Sequence, residues 1–278
     1  MRMEALLYSR SSSNDYSSDH NQKRSYLRFQ EHTPTQREII DELFSSLLLN
    51  IYEDDECESD FITCEKGIVK KVEVKHYSKI WSTHDAEEQG QIPHSIGLLT
   101  NLEEIVLDGV PDLGGTLPTE LGSLTKLQTL RLADNSFLGQ VPTELGSLTN
   151  LEWLDLGFNA LTGNIPSELG NFSDIKRLSL GHNMINGEIP KEFGKLNKVE
   201  MIDLSYNRLT GTIPTELEAL KNLKWFELYD NSLTGRIPDE LKTLSSLEEI
   251  NLDSTTPLTS ELTFTSYEGK TESKSILL

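Results

Sequence analysis

The feature that most constrains this chain is a period. Its apolar residues recur in phase at Leu102, Leu127, Leu151, Ile175, Val199, Leu223 and Leu247, one step of 25 residues followed by five of 24. A fixed period of that length marks a stacked-repeat solenoid, in which each repeat is covered only by its neighbours. A typical unit reads Leu151-x-x-Leu154-x-Leu156-x-x-Asn159-x-Leu161-x-Gly163-x-Ile165-Pro166-x-x-Leu169-x-x-Phe172. The alternation Leu154-x-Leu156 is that of a short strand with one buried face, and copies of it stacked along an axis make a parallel sheet.

The other recurring positions each imply a task. Asn135, Asn159, Asn183, Asn207 and Asn231 stand where the chain turns inward. An amide carries both donors and an acceptor, so a column of them can satisfy backbone groups of adjacent coils. Gly139, Gly163, Gly187, Gly211 and Gly235 mark a left-handed or closely approached backbone. Pro142, Pro166, Pro190, Pro214 and Pro238 stiffen an outer turn and stop the strand.

Such an array needs caps. Residues 1–32, rich in Ser, Asn, Asp and Arg without apolar period, read as a disordered leader. Residues 33–68 read as an N-terminal cap, with a helix over 33–50 that Thr33 caps, Pro34 opens and Gln36 closes into a capping box. Its apolar residues Ile39, Ile40, Leu43, Phe44, Leu47 and Leu48 share one face. Val69-x-x-Val72-x-Val74 is a weak first coil, so about eight coils span 69–255. The spacing from that coil to Pro93 is about nine residues too long, which predicts a projecting loop at 78–90 containing Trp81 and His84. The last strand, around Leu247, Ile250 and Leu252, has Thr255 where the asparagine would stand, and 256–278 reads as a C-terminal cap or tail.

Forty-five acids against twenty-five bases leave a net charge of −20, which repels nucleic acid and anionic lipid. The same charge suits a basic partner, or serves only to keep an elongated protein soluble. Apolar runs such as Leu47-Leu48-Leu49 are far too short to enter a membrane as a spanning helix. The opening Met1-Arg2-Met3-Glu4-Ala5-Leu6-Leu7-Tyr8 lacks the apolar stretch of a signal peptide, which predicts either an intracellular protein or a natural start elsewhere. Cys57 and Cys64 are too few for a disulfide scaffold or a four-thiolate zinc site. The six histidines show no ligand spacing, and neither a phosphate loop nor a His-Glu-x-x-His helix occurs, so no catalytic residue, metal or cofactor is expected.

Binding has better support. The non-leucine strand positions should face a concave surface, which lines up Trp153, Asp155 and Phe158, then Arg177, Ser179 and His182. Met201, Asp203 and Tyr206 follow, then Trp225, Glu227, Tyr229 and Asp230. Interface hot spots favour Trp, Tyr and Arg, although aromatic residues also suit strands by propensity alone. Asp155, Asp203, Glu227 and Asp230 suggest a basic protein or peptide, while aromatic faces beside carboxylates would also suit a carbohydrate. Lys71, Lys75 and Arg131 make the N-terminal end of that face less acidic, a polarity that would orient a partner. Asn171-Phe172-Ser173 is a glycosylation acceptor on the outer side, or a coincidence, since Asn150, Asn197 and Asn222 show asparagine to be common there.

Over about residues 33–260 these motifs resemble the plant-type leucine-rich repeats, whose hallmark is an asparagine followed by Leu-x-Gly-x-Ile-Pro. That family occurs in plant receptor-kinase ectodomains, polygalacturonase-inhibiting proteins and algal and protist proteins. The resemblance implies an α/β repeat solenoid, a right-handed superhelix with a parallel sheet on its concave face and a helical N-terminal cap. The family's cap carries Cys-x-Trp-x-Gly-Val-x-Cys; here Cys57-Glu58-Ser59-Asp60-Phe61-Ile62-Thr63-Cys64 keeps both cysteines but has Ser59 and Phe61 for the tryptophan and glycine. It therefore implies a Cys57–Cys64 disulfide and an extracellular or cell-surface setting, against the alternative of two reduced thiols in a cytoplasmic protein. The function implied is non-enzymatic recognition of a protein or peptide, receptor-like or in signalling or defence, by a monomer. An intracellular scaffold and an inhibitor of a secreted polysaccharide hydrolase are the alternatives. Nothing after the repeats resembles a membrane span or a kinase, so the receptor-kinase activity does not carry over.

Overall fold

The structure is a computed structural model that describes residues 33–46, 61–74, 90–110 and 112–252, and the backbone of 275–277. The chain divides into two units, Met1–Thr35 and Gln36–Leu278. In the first, only Thr33, Pro34 and Thr35 are described, and none is helical. The leader expected over 1–32, Cys57, the loop at 78–90 up to its last residue, and Thr255 all lie outside the described residues.

The second unit begins with α1 (Gln36–Ser46), two residues later than the sequence placed Pro34 inside a helix. Gln36 does not close a capping box. Its side chain instead reaches the first coil, where Nε2 donates to the Gly67 carbonyl at 3.3 Å and Oε1 accepts from the Val69 amide at 3.1 Å. A glutamine that can bridge to an otherwise open strand end satisfies two backbone groups there. Ile39, Ile40, Leu43 and Phe44 are buried as one face, as expected; Leu47 and Leu48 lie outside the described residues.

Each coil supplies one strand to a long sheet. The parallel members are β2 (Ile68–Glu73), β4 (Glu104–Val106), β6 (Thr129–Arg131), β8 (Trp153–Asp155), β10 (Arg177–Ser179), β12 (Met201–Asp203), β14 (Trp225–Glu227) and β15 (Glu249–Asn251). An antiparallel hairpin strand, β1 (Ile62–Glu65), closes one edge on β2, and β16 (Ser275–Leu277) pairs in parallel with β15 at the other. The register is unshifted between consecutive parallel strands: Leu130, Leu154, Leu178, Ile202, Phe226 and Ile250 form one buried row. A constant repeat length makes this inevitable, because a one-residue slip would turn every leucine out of the core.

In the five coils from Asn135 to Asn231 the chain turns after its strand through a left-handed residue and enters the asparagine column. Asn183 is typical: Nδ2 donates to the carbonyls of Leu156, Leu180 and Gly181 at 3.0, 3.1 and 3.2 Å, and Oδ1 accepts from the Leu161 amide at 2.9 Å. Leu156 and Leu161 belong to the preceding coil, so one amide fastens two coils. A second run of short strands follows, β3 (Gly90–Gln91), β5 (Leu113–Thr116), β7 (Ser136–Gln140) and β9 (Ala160–Thr162) in one sheet and β11 (Asn186–Gly187) with β13 (Arg208–Leu209) in another. The repeated glycine lies there with φ of +80° at Gly139 and +75° at Gly163, the left-handed backbone expected. The repeated prolines then open one 3-10 turn per coil, at φ between −57° and −71°, the range the pyrrolidine ring imposes. Among the described residues no helix is long and apolar enough to cross a membrane.

Candidate partner-binding face

The outward residues of the long sheet form columns. One runs Trp153, Arg177, Met201, Trp225 and Glu249, the next Asp155, Ser179, Asp203, Glu227 and Asn251. All but the exposed Arg177 are half-buried, because neighbours only about 4.8 Å away crowd each side chain. Trp153, Asp155, Arg177, Met201, Asp203, Trp225 and Glu227 therefore lie on one surface of the sheet.

Phe158, His182, Tyr206 and Asp230 are not on strands. They occupy the residue before each asparagine, with φ of +54°, +55°, +49° and +53°. That conformation brings three rings into a row. Phe158 stacks on His182 at 3.9 Å and 13°, and His182 on Tyr206 at 4.0 Å and 32°. The row then changes column: Tyr229, one residue earlier in its coil than Asp230, meets Tyr206 edge-on at 4.8 Å and 77°. Asp230 is not part of it. Burial by these neighbours pushes the Tyr229 phenol up from its ordinary value.

Trp153 has company the sequence did not reveal. The Arg131 guanidinium from β6 lies 4.4 Å from the indole centroid and that of Arg177 from β10 lies 4.9 Å away. Arg131 also pairs with Asp108, and its buried Nε has no hydrogen-bond partner. Arg131 was visible as a strand residue, but its reach across to the next coil was not.

Three carboxylates of this face accept hydrogen bonds from the protein itself. Asp155 accepts from the Gly157 amide at 3.1 Å and from Ser179; Asp203 takes the Ser205 amide at 3.0 Å and hydroxyl at 2.6 Å; Glu227 accepts from the Asn251 amide at 2.5 Å. Burial is the main reason the Asp155 and Glu227 carboxyls sit above their ordinary values. Close packing of side chains between coils raises both groups without an enclosed pocket. The polarity expected from Lys71 and Arg131 is cancelled as well. Lys71 pairs with Glu73 at 2.9 Å and Glu104 at 2.7 Å, and Arg131 with Asp108; Lys75 lies outside the described residues. Along the flank, Lys176 pairs with Glu152 at 2.6 Å and Lys224 with Glu200 at 2.7 Å, each between adjacent coils.

Other chemistry is sparse. His94 Nδ1 contacts Glu120 at 2.7 Å while its neighbour Ser95 bonds to Glu42, so serine and histidine are held by different acids and form no relay. No group of three or more potential ligands that could hold a metal occurs among the described residues. Cys64 lies on β1, packed against the core. Asn171 is exposed at the end of an outer turn.

Residues 126–148, 149–209 and 222–244 match family models for the leucine-rich repeat. The chain is a leucine-rich-repeat solenoid with an N-terminal helix, and solved structures of similar fold include plant receptor-kinase ectodomains. It is 37% identical to the plant peptide hormone receptor RGFR1, solved in complex with RGF2, over 58% of this chain and 25% of that one, with a TM-score of 0.54. It is 25% identical to the Arabidopsis receptor kinase HAESA, solved with the peptide hormone IDA and the co-receptor SERK1, over 84% and 38%, with a TM-score of 0.63. A plant ice-binding protein is 25% identical over 77% of this chain and 86% of its own, with a TM-score of 0.58. The chain thus spans well under half of either receptor chain and most of the ice-binding protein. No curated protein matches it.

Proposed function

We propose that this protein is a non-enzymatic recognition module that binds a peptide or protein on its concave sheet face, through Trp153, Arg177, Met201 and Trp225 and the row Phe158, His182, Tyr206 and Tyr229. One observation carries this reading. Phe158 and Tyr206 are 55% and 39% exposed and are held in left-handed backbone. An L-residue there costs about 1–2 kcal/mol, and the exposed ring surface adds to that. The core does not require them, since Asp134 and Asp230 fill the same position in other coils. Aromatic side chains kept where backbone and solvent both oppose them are explained by a partner that covers them. The peptide complexes of RGFR1 and HAESA support the same use of this fold.

Peptides selected from a displayed library on the whole protein test it. The double variant Trp153→Ala/Trp225→Ala should lose affinity for them by tenfold or more, on the order of a hot-spot pair, while keeping its melting temperature. Unchanged affinity would remove these residues from the site.

A Cys57–Cys64 disulfide, a glycan at Asn171 and an extracellular setting belong to the same proposal. The core-packed position of Cys64 and the exposed, outer position of Asn171 support them. An intact mass with and without reduction and deglycosylation decides both. The ice-binding neighbour draws attention to Thr162, Thr210 and Thr234, whose hydroxyls donate to Gly139, Gly187 and Gly211. Glu188 and Arg236 interrupt the adjoining column, and a lattice-matched surface needs an unbroken one. Peptide recognition is the reading retained.

A further inference from the structure

The acids of the concave face are matched by bases at one end and not at the other. Toward the N-terminal end Lys71 pairs with Glu73 at 2.9 Å and Glu104 at 2.7 Å, and Arg131 pairs with Asp108. Asp155, in the strand after Arg131, lies in the field of that guanidinium. Arg177 reaches back to the Trp153 ring, where Arg131 already rests. From β12 onward the pattern changes. Asp203, Glu227, Asp230 and Glu249 follow one another over three consecutive coils, and among the described residues none of them has a basic partner. Lys224, next to β14, is bonded to Glu200 at 2.7 Å. The hydrogen bonds that Asp203 and Glu227 accept come from neutral groups, so both keep their charge.

Those charges act on one another. Burial raises the Glu227 carboxyl first; the hydrogen bond from Asn251 opposes this, and the like charges of Glu249 and Asp203 add to it. The Asn251 Oδ1 is buried with no hydrogen-bond partner, one more acceptor at the same end. An aromatic side chain stands among them. Trp225 has Glu249 opposite it in the next strand and Glu227 two residues on in its own. An indole attracts a cation within about 6 Å of its centroid, and the Lys224 Nζ already stands at 5.7 Å. Tyr206, 39% exposed, meets Tyr229 in the same coils. Resting on the proposed peptide-binding role, we infer that the partner is basic where it crosses these coils: an extended segment that sets an arginine or lysine side chain on Trp225, within reach of Glu227 and Glu249, with further basic residues beside Asp203 and Asp230. A cation there meets a ring and relieves the mutual repulsion of the carboxylates at once. Arginine suits the place better than lysine, since its plane stacks on an indole while its fork meets a carboxylate. From β12 to β15 is two coil steps, about 10 Å at 4.8 Å per coil, which about three extended residues cover. This narrows the basic partner that acids along the whole face suggest. Asp155 drops out, Glu249 enters, and the Trp153 end, with Arg131 and Arg177, asks for no basic residue.

The test uses three sets of synthetic peptides of equal length and aromatic content, capped at both ends, whose charged positions are all Arg, all Glu or all Gln. Binding to the full chain is measured by fluorescence polarisation in about 0.15 M salt, which screens the general charge of the chain. The Arg set should bind about tenfold more tightly than the Gln set, and Glu227→Gln/Glu249→Gln should remove that margin, a change of about 1.4 kcal/mol. That pair should not lower the melting temperature. Glu103→Gln/Glu104→Gln, an equal change of charge at the far end, should keep the margin. Preference for the Glu or Gln set, a margin that survives Glu227→Gln/Glu249→Gln or is lost equally in both pairs, or no set binding at all would overturn the basic assignment. Affinity for library-selected peptides, still lost in Trp153→Ala/Trp225→Ala, would then leave the binding face standing. Binding of cello- or pectic oligosaccharides with no peptide of any kind bound would sink both this inference and the peptide-binding role.

Discussion

The outer turns and the long-sheet face are built from the same repeat, yet one is nearly uniform and the other is not. On the outer side Glu120, Glu144, Glu168, Glu192, Glu216 and Glu240 recur in every turn after the first, where Ser95 stands. On the sheet face the matching positions read Trp153, Arg177, Met201, Trp225 and Glu249. The difference is in how closely backbones approach. A Cβ placed on Gly170 would lie 2.6 Å from the Glu192 carbonyl oxygen of the next coil, so the outer turns stack main chain on main chain. On the sheet face, side chains meet side chains, and many residues satisfy the geometry. Where the glycine gives way to Glu218 and Lys242, the last turn packs less closely on its predecessor. Uniform columns therefore report packing, and varied ones leave room for specificity.

The comparison can be broken at several points. The largest effect is expected from Asn183→Ala, which strands the Leu161 amide in a buried site and leaves the Leu156 and Leu180 carbonyls with only Asn159 and Asn207 as side-chain donors. The unsatisfied amide costs about 1–3 kcal/mol and each lost hydrogen bond about 1 kcal/mol, so denaturant unfolding should show a loss on the order of 3 kcal/mol. Gly170→Ala comes next, at about 1–3 kcal/mol for forcing the outer turns apart. Glu218→Ala, at the same position two coils later, should stay within about 0.5 kcal/mol. If both alanines behaved alike, close backbone approach would not be what keeps the outer face uniform.

Asp155→Asn separates charge from shape on the sheet face. Burial raises the Asp155 carboxyl in the folded state above its ordinary 3.8, so its ionisation opposes folding. That opposition is absent below the ordinary value and develops as pH rises through the folded pKa. The asparagine variant, still able to accept from the Gly157 amide, should melt with the parent at about pH 3 and above it at about pH 7. A gap at acid pH instead would point to lost packing. A small net effect is also expected of Phe158→Asn. Relief of the left-handed backbone, about 1 kcal/mol, offsets the lost ring contact with His182, about 0.5–1.5 kcal/mol. Net stability should move by less than about 1 kcal/mol, while affinity for selected peptides falls. A large destabilisation would make the aromatic row structural.

Much of this was legible in the residues. The period, the buried rows, the asparagine column, the left-handed glycines and the residues facing outward from each strand follow from a repeat that can bury itself only by stacking. The helix start was misplaced because Gln36 found better partners in a hairpin remote in sequence than in its own first turn. The candidate site was legible as a set of residues but not as chemistry. Asp155 and Asp203 look like free acids until their serine and amide partners are seen, and Tyr229 rather than Asp230 extends the row because its ring, one position away, is the one that reaches Tyr206.

The sequence alone determined the solenoid, since a constant repeat length admits only one register, and it determined which side chains leave the core. Tertiary structure decided what those side chains offer a partner. Ring faces, guanidinium planes and carboxylate lone pairs are consumed or left open by neighbours about 24 residues away, and the coil-to-coil spacing of about 4.8 Å sets which of them meet.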